Sequence, residues 1–185
     1  MARVAFIAHC MLNQNAKVEG GAARPAVWEP VLDLLREHGY VIRQMPCPEL
    51  AFGGARRFWG VREQFDTPLY RRHCRRLAKL VAAVMAQHVS AGDDLVVIGV
   101  DSSPSMGVDF TPSAEWAGKP DIGDDDSKLV PGDGIFLAEL RAELAERGLP
   151  MPRAAATRHW FPDYDPDEER RRLEAVLEPN SRRSE

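Results

Sequence analysis

The chain has 185 residues, with 24 Lys and Arg against 28 Asp and Glu, and a formal net charge of -4. That length suits a single domain with a core of its own, and the mild acidity argues against a non-specific nucleic-acid binder. No run approaches the roughly 20 apolar residues of a membrane span, and the start, "MARVAFIAHC", is too short for a signal peptide. A cytoplasmic protein with no membrane and no nucleic-acid polymer as partner is therefore expected.

The elements follow in chain order. "RVAFIAH" at 3–9 is a short apolar run, expected as a first strand. The loop after it holds "CMLNQNAKVEGGAARP", where Gly20-Gly21 and Pro25 mark irregular backbone. "PVLDLLREHG" is a helix, with Pro30 in its first turn, Val31, Leu34 and Leu35 on one face and Gly39 past its end. "YVIRQM" is a second strand, leading into "PCPEL" and an irregular basic-aromatic stretch, "AFGGARRFWGVREQFD". Thr67 caps the longest helix, with Pro68 as its first residue and Gly92 at its end. In it Leu77, Leu80, Val81, Val84, Met85 and His88 recur at helical spacing, and Tyr70, Cys74 and Leu77 share a face.

"DLVVIGV" at 94–100 is apolar throughout, as expected of a strand covered on both faces. "SSPSMG" follows directly; after it a long polar loop, which carries "DIGDDDSK" and is expected to be exposed and mobile, runs to Gly132. "GIFLAELRAELAERG" is a helix with Ile135, Phe136, Leu140 and Leu144 inward, "RAAATR" at 153–158 a weaker fourth strand, and "DPDEERRRLEAVLE" a final amphipathic helix. Residues 1–178 are expected to form one α/β domain and 179–185 a frayed tail. Alternating strands and helices predict a three-layer, Rossmann-like sandwich around a mainly parallel sheet of about four strands.

Ligands of such folds sit beyond the carboxyl ends of the strands. Cys10 follows strand one, Cys47 follows strand two, and the Ser-Pro-Ser-Met loop follows strand three. Three unusual segments thus converge on one rim. A thiol at a strand end is placed to react or to bind metal. Pro46 and Pro48 restrict the backbone on either side of Cys47 and present it rigidly. Glu49 beside it is an acid–base candidate. Asn13 and Asn15 are turn formers with side chains able to donate to a ligand. Cys74, in mid-helix, reads as a core thiol, and Arg71, Arg72, Arg75, Arg76 and Lys79 around it as a solvated face. An odd, small cysteine count argues against a disulfide framework. The histidines show no zinc-site spacing. A hydrolase using Ser103 or Ser105 lacks the G-x-S-x-G elbow.

The trio "HCMLN", "PCPE" with "GGARR" behind it, and "SSPSMG" resembles the thiouracil desulfidase family and its desulfidase relatives. The resemblance runs from the first strand to the "GDGIFLAEL" helix. It implies a 4Fe-4S cluster held by three cysteines, whose open iron takes sulfur from a thiolated nucleobase. Carried onto this chain, Cys10 and Cys47 become cluster ligands, Glu49 the acid–base and Ser103 the assisting serine. Asn13 and Ser105 fall at the substrate, and Phe58 or Trp59 is a stacking candidate. The third cysteine of the family is Met106 here, a neutral thioether where such clusters use thiolates. Cys74 or Asp109 stands as a replacement ligand. The alternative is a cluster-free relative that binds a small molecule, or binds metal through its thiols.

Overall fold

A computed structural model describes residues 1–115 and 127–178. Residues 121–126 of the "DIGDDDSK" segment and the tail at 179–185 lie outside the described residues. The strands are β1 (Arg3–Ile7), β2 (Tyr40–Gln44), β3 (Asp94–Val100), β4 (Phe110–Ser113), β5 (Lys128–Pro131) and β6 (Arg153–Thr157). The α-helices are α1 (His9–Leu12), α2 (Glu29–Glu37), α3 (Pro48–Gly53), α4 (Arg62–Phe65), α5 (Pro68–Ser90), α6 (Ile135–Glu146) and α7 (Pro166–Leu177).

Four strands form a parallel sheet in the order β2-β1-β3-β6. Ile7 stands opposite both Gln44 and Ile98, and Ile98 opposite Ala155. Helix α2 packs with α7, and α5 with α6, giving the helical layers around the sheet. The two central strands explain the apolar runs of the sequence. From Val4 to Ile7 and from Leu95 to Val100 every residue is buried, as parallel strands covered on both faces require. The edge strand β2 buries only Tyr40 and reads as more polar.

The chain leaves β1 toward β2 on one side and β3 toward β6 on the other. The sheet therefore has its topological switch point between β1 and β3, where a crevice opens beyond their carboxyl ends.

Several local expectations hold. The Thr67 side chain accepts from the Tyr70 backbone N–H at 3.2 Å, with Pro68 at the first helical position. Ile135, Phe136, Leu140 and Leu144 are fully buried. Others change. The first strand stops at Ile7 because His9–Leu12 turns into α1. The stretch after Cys47 holds two short helices, α3 and α4. Within the polar loop, β4 and β5 pair antiparallel, Phe110 opposite Pro131. Leu80 and Val84 share the helical spacing of α5 yet stand exposed.

The loop that holds "SSPSMG" lies close against glycines within it, in β3 and at the start of α6. A Cβ on Gly99 would lie 2.3 Å from the Met106 carbonyl oxygen, and one on Gly107 2.3 Å from that of Phe110. A Cβ on Gly134, at the start of α6, would lie 2.4 Å from the Ser105 carbonyl carbon. These close approaches fold the loop back onto β3 and against the α6 N-terminus.

Candidate functional site

The first wall of the crevice is α1. Cys10 sits in its first turn, and the Cys10 carbonyl accepts from Gln14 Nε2 at 2.7 Å. The second wall begins at Cys47, the N-cap of α3, whose sulfur accepts from the Leu50 N–H at 3.3 Å. Pro48 as first helical residue then turns Glu49 inward. The third wall is the loop after β3. Ser102 there has φ of 65°, a left-handed conformation that non-glycine residues rarely adopt. Strain of this kind recurs at functional sites.

The three walls border a cleft open to solvent, lined by Cys10, Cys47, Glu49, Ser103 and Met106 among others. The Ser103 hydroxyl donates to Glu49 Oε1 at 3.2 Å and accepts from the N–H groups of Ser105 and Met106 at 3.2 and 3.0 Å. Arg57 Nε lies 3.5 Å from the other Glu49 oxygen and is largely buried with it. Arg57 also donates to the carbonyls of Gly54 and Ala16, which clamps the α3 end to the first wall. Met106 is 4% exposed, its thioether part of the wall.

Other predicted site residues fall elsewhere. Ser105 is fully buried, its hydroxyl 2.7 Å from that of Tyr70, and does not line the cleft. It fastens the loop to α5. Asn13 is exposed and caps the short turn at Gln14–Ala16 by accepting from the Asn15 N–H. Trp59 lines the cleft, whereas Phe58 is 90% exposed outside it. Cys74 is a core residue of α5, and Asp109 pairs with Arg158 at 2.9 Å, so neither reaches the cleft wall.

The sequence reading missed Lys17, His159 and Trp160. Lys17 is 8% exposed and lines the cleft. Its Nζ lies 2.6 Å from His159 Nε2 and 4.7 Å above the Trp160 ring. Trp160 stacks on Trp59, centroids 4.5 Å apart and planes 17° from parallel. The strand-end rule that found the first three walls also covers β6, and "RHW" follows that strand. Applied there, it would have found His159 and Trp160.

The donors present do not fit a cluster held by three thiolates. Two are thiols and the third is a thioether, a neutral and weak donor. Among the described residues no group of three His, Cys, Asp or Glu side chains is placed to hold a metal ion.

Burial pushes the Cys10 thiol up to about 12; Lys17 opposes the rise, and Cys47 and Glu49 add to it. Cys47 is also raised, by burial and then by Glu49. Cys74 in the core is pushed up to about 12, by burial first. The thiolate is the reactive form, so the native thiols are expected to be sluggish. Iodoacetamide at pH 8 should label the native chain at least about 100-fold more slowly than the chain unfolded in urea, counted by mass spectrometry. Labelling at equal rates would show open, ionised thiols.

No family model matches this chain. It is similar to an uncharacterised protein of Methanocaldococcus jannaschii, 29% identical over 106 residues that span 57% of this chain and 68% of that protein. Among solved structures it is similar to a 4Fe-4S-dependent thiouracil desulfidase, with 19% identity, a TM-score of 0.45, and coverage of 84% of this chain and 91% of that one.

Proposed function

We propose that this protein is a desulfidase, removing sulfur from a thiolated nucleobase or a similar small thio-compound bound in the cleft. The observation that carries the reading is the Glu49–Ser103 contact, 3.2 Å, facing a cleft that two thiols and a thioether also line. The motif resemblance supports the same assignment of Glu49 and Ser103.

The overall reaction is a hydrolysis without change of oxidation state. Water adds to the thiocarbonyl carbon while Glu49 takes one of its protons. The C–S bond then breaks as the carbonyl re-forms. The sulfur leaves with the proton from Glu49 and the remaining hydroxyl proton, so one water is consumed and one hydrogen sulfide released. Ser103 holds the carboxylate in place through its hydroxyl, itself fixed by two backbone N–H groups. The iron–sulfur cluster that the resemblance implies does not fit the donor set, and no step passes through it.

Incubation with 2-thiouracil, 4-thiouracil and 2-thiocytosine should release sulfide in proportion to enzyme, measured by methylene-blue formation. The absence of sulfide from every thiolated base would remove the desulfidase reading. Met106 favours a second reading, a cluster-free module that binds such compounds without turnover. Saturable binding with no sulfide would select it.

A further inference from the structure

Lys17 is a buried amine that burial draws down to about 8, with the Cys10 thiol opposing the fall, so it is still largely charged at pH 7. Among the described residues no carboxylate lies within ion-pair distance of it, whereas Arg57, the other cation of the cleft wall, is paired with Glu49. Its contacts are a neutral ring and an aromatic face. The Thr157 hydroxyl donates to the Glu169 carboxylate, which also accepts from Arg172 at 2.9 Å. Thr157 Oγ1, 3.1 Å from His159 Nδ1, is thereby left to accept the Nδ1 proton. Nε2 is then bare and accepts from Lys17 at 2.6 Å. Burial, and after it Lys17, hold His159 down to about 3, so the ring stays neutral.

One Lys17 N–H is thus committed to His159, and Trp160 covers another side of the ammonium. Lys17 is also one of the residues that line the cleft. A buried cation left unpaired is costly, and a ligand anion would offset that cost. We propose that Lys17 is the anion-binding residue of the cleft and that the ligand is a small planar molecule bearing a negative charge. Planarity follows from the Trp59–Trp160 pair, which offers a flat aromatic surface beside the ammonium. The proposal rests on the reading of the cleft as a small-molecule site and specifies the charge of what enters it.

Uracil and its 6-carboxylate, orotate, present the same ring and differ by one negative charge. Calorimetric titration of the full chain at pH 7 and low salt should show orotate binding at least about tenfold more tightly than uracil. Lys17→Met should bring the ratio to about one, and Lys17→Arg, which keeps the charge, should retain most of the preference. Lys17→Gln supplies a second uncharged variant that keeps a donor for His159. Equal affinity for the two probes, binding of neither, or a preference that survives loss of the charge would overturn the proposal. Sulfide release from 2-thiouracil is scored separately. It can fail with the charge preference intact, and the preference can vanish with sulfide release intact.

Discussion

Glu49→Gln is expected to lower sulfide release by about 10²-fold or more while leaving ligand affinity within about twofold. The amide has nearly the same shape and keeps one acceptor oxygen, for Ser103 or for Arg57 where the carboxylate serves each through its own oxygen, and Arg57 keeps its bonds to the carbonyls of Gly54 and Ala16. The amide has lost the ability to take a proton from water. The comparison therefore isolates proton transfer from packing. Initial rates under saturating substrate, beside calorimetric affinities of wild type and variant, measure it. An unchanged rate would remove Glu49 from the chemistry.

The second large effect concerns the loop that carries Ser103. Asp101, fully buried, accepts from the N–H groups of Val108, Asp109 and Phe110 at 3.0, 3.0 and 3.1 Å through one oxygen. Its other oxygen pairs with Arg158 Nε at 3.0 Å. Asp101→Ala would strip three backbone donors and a guanidinium of their acceptor at once. Such losses cost about 3 kcal/mol or more, which in a chain of this size lowers Tm by roughly 6–12 °C. Asp101→Asn keeps one acceptor oxygen and should lose less. Calorimetric melting of the three proteins provides the measurement, and a Tm within about 2 °C of wild type for Asp101→Ala would show that the loop is held by its packing alone.

The sheet was legible because burial on both faces writes itself into consecutive residues. Val96, Val97 and Ile98 leave no other reading. The helix starting at Pro68 was legible because its start signal is local, one threonine and one proline. The β4–β5 pair was not, since each strand has four residues, one with Pro112 inside and the other ending in Pro131. The two short helices were hidden by the prolines and glycines around them. At the site, Cys10, Cys47, Glu49, Ser103 and Met106 could be brought together on paper by the strand-end rule alone. Ser105 was misplaced because side-chain direction in a tight loop depends on partners such as Tyr70, 35 positions away. Lys17 was missed for the same kind of reason. A lysine in a polar loop looks solvated, and its burial is created by His159, 142 positions away.

The Trp59–Trp160 stack has an optical consequence. Two indoles with centroids 4.5 Å apart and nearly parallel planes share their excited states. Their coupled transitions rotate polarised light by an amount set by separation and tilt. The two rings belong to distant segments that meet beside the cleft, so any molecule that wedges between them, or slides along one, changes both quantities. The protein thus carries in the wall of its cleft an intrinsic chromophore pair whose circular dichroism would report the arrival of a molecule there.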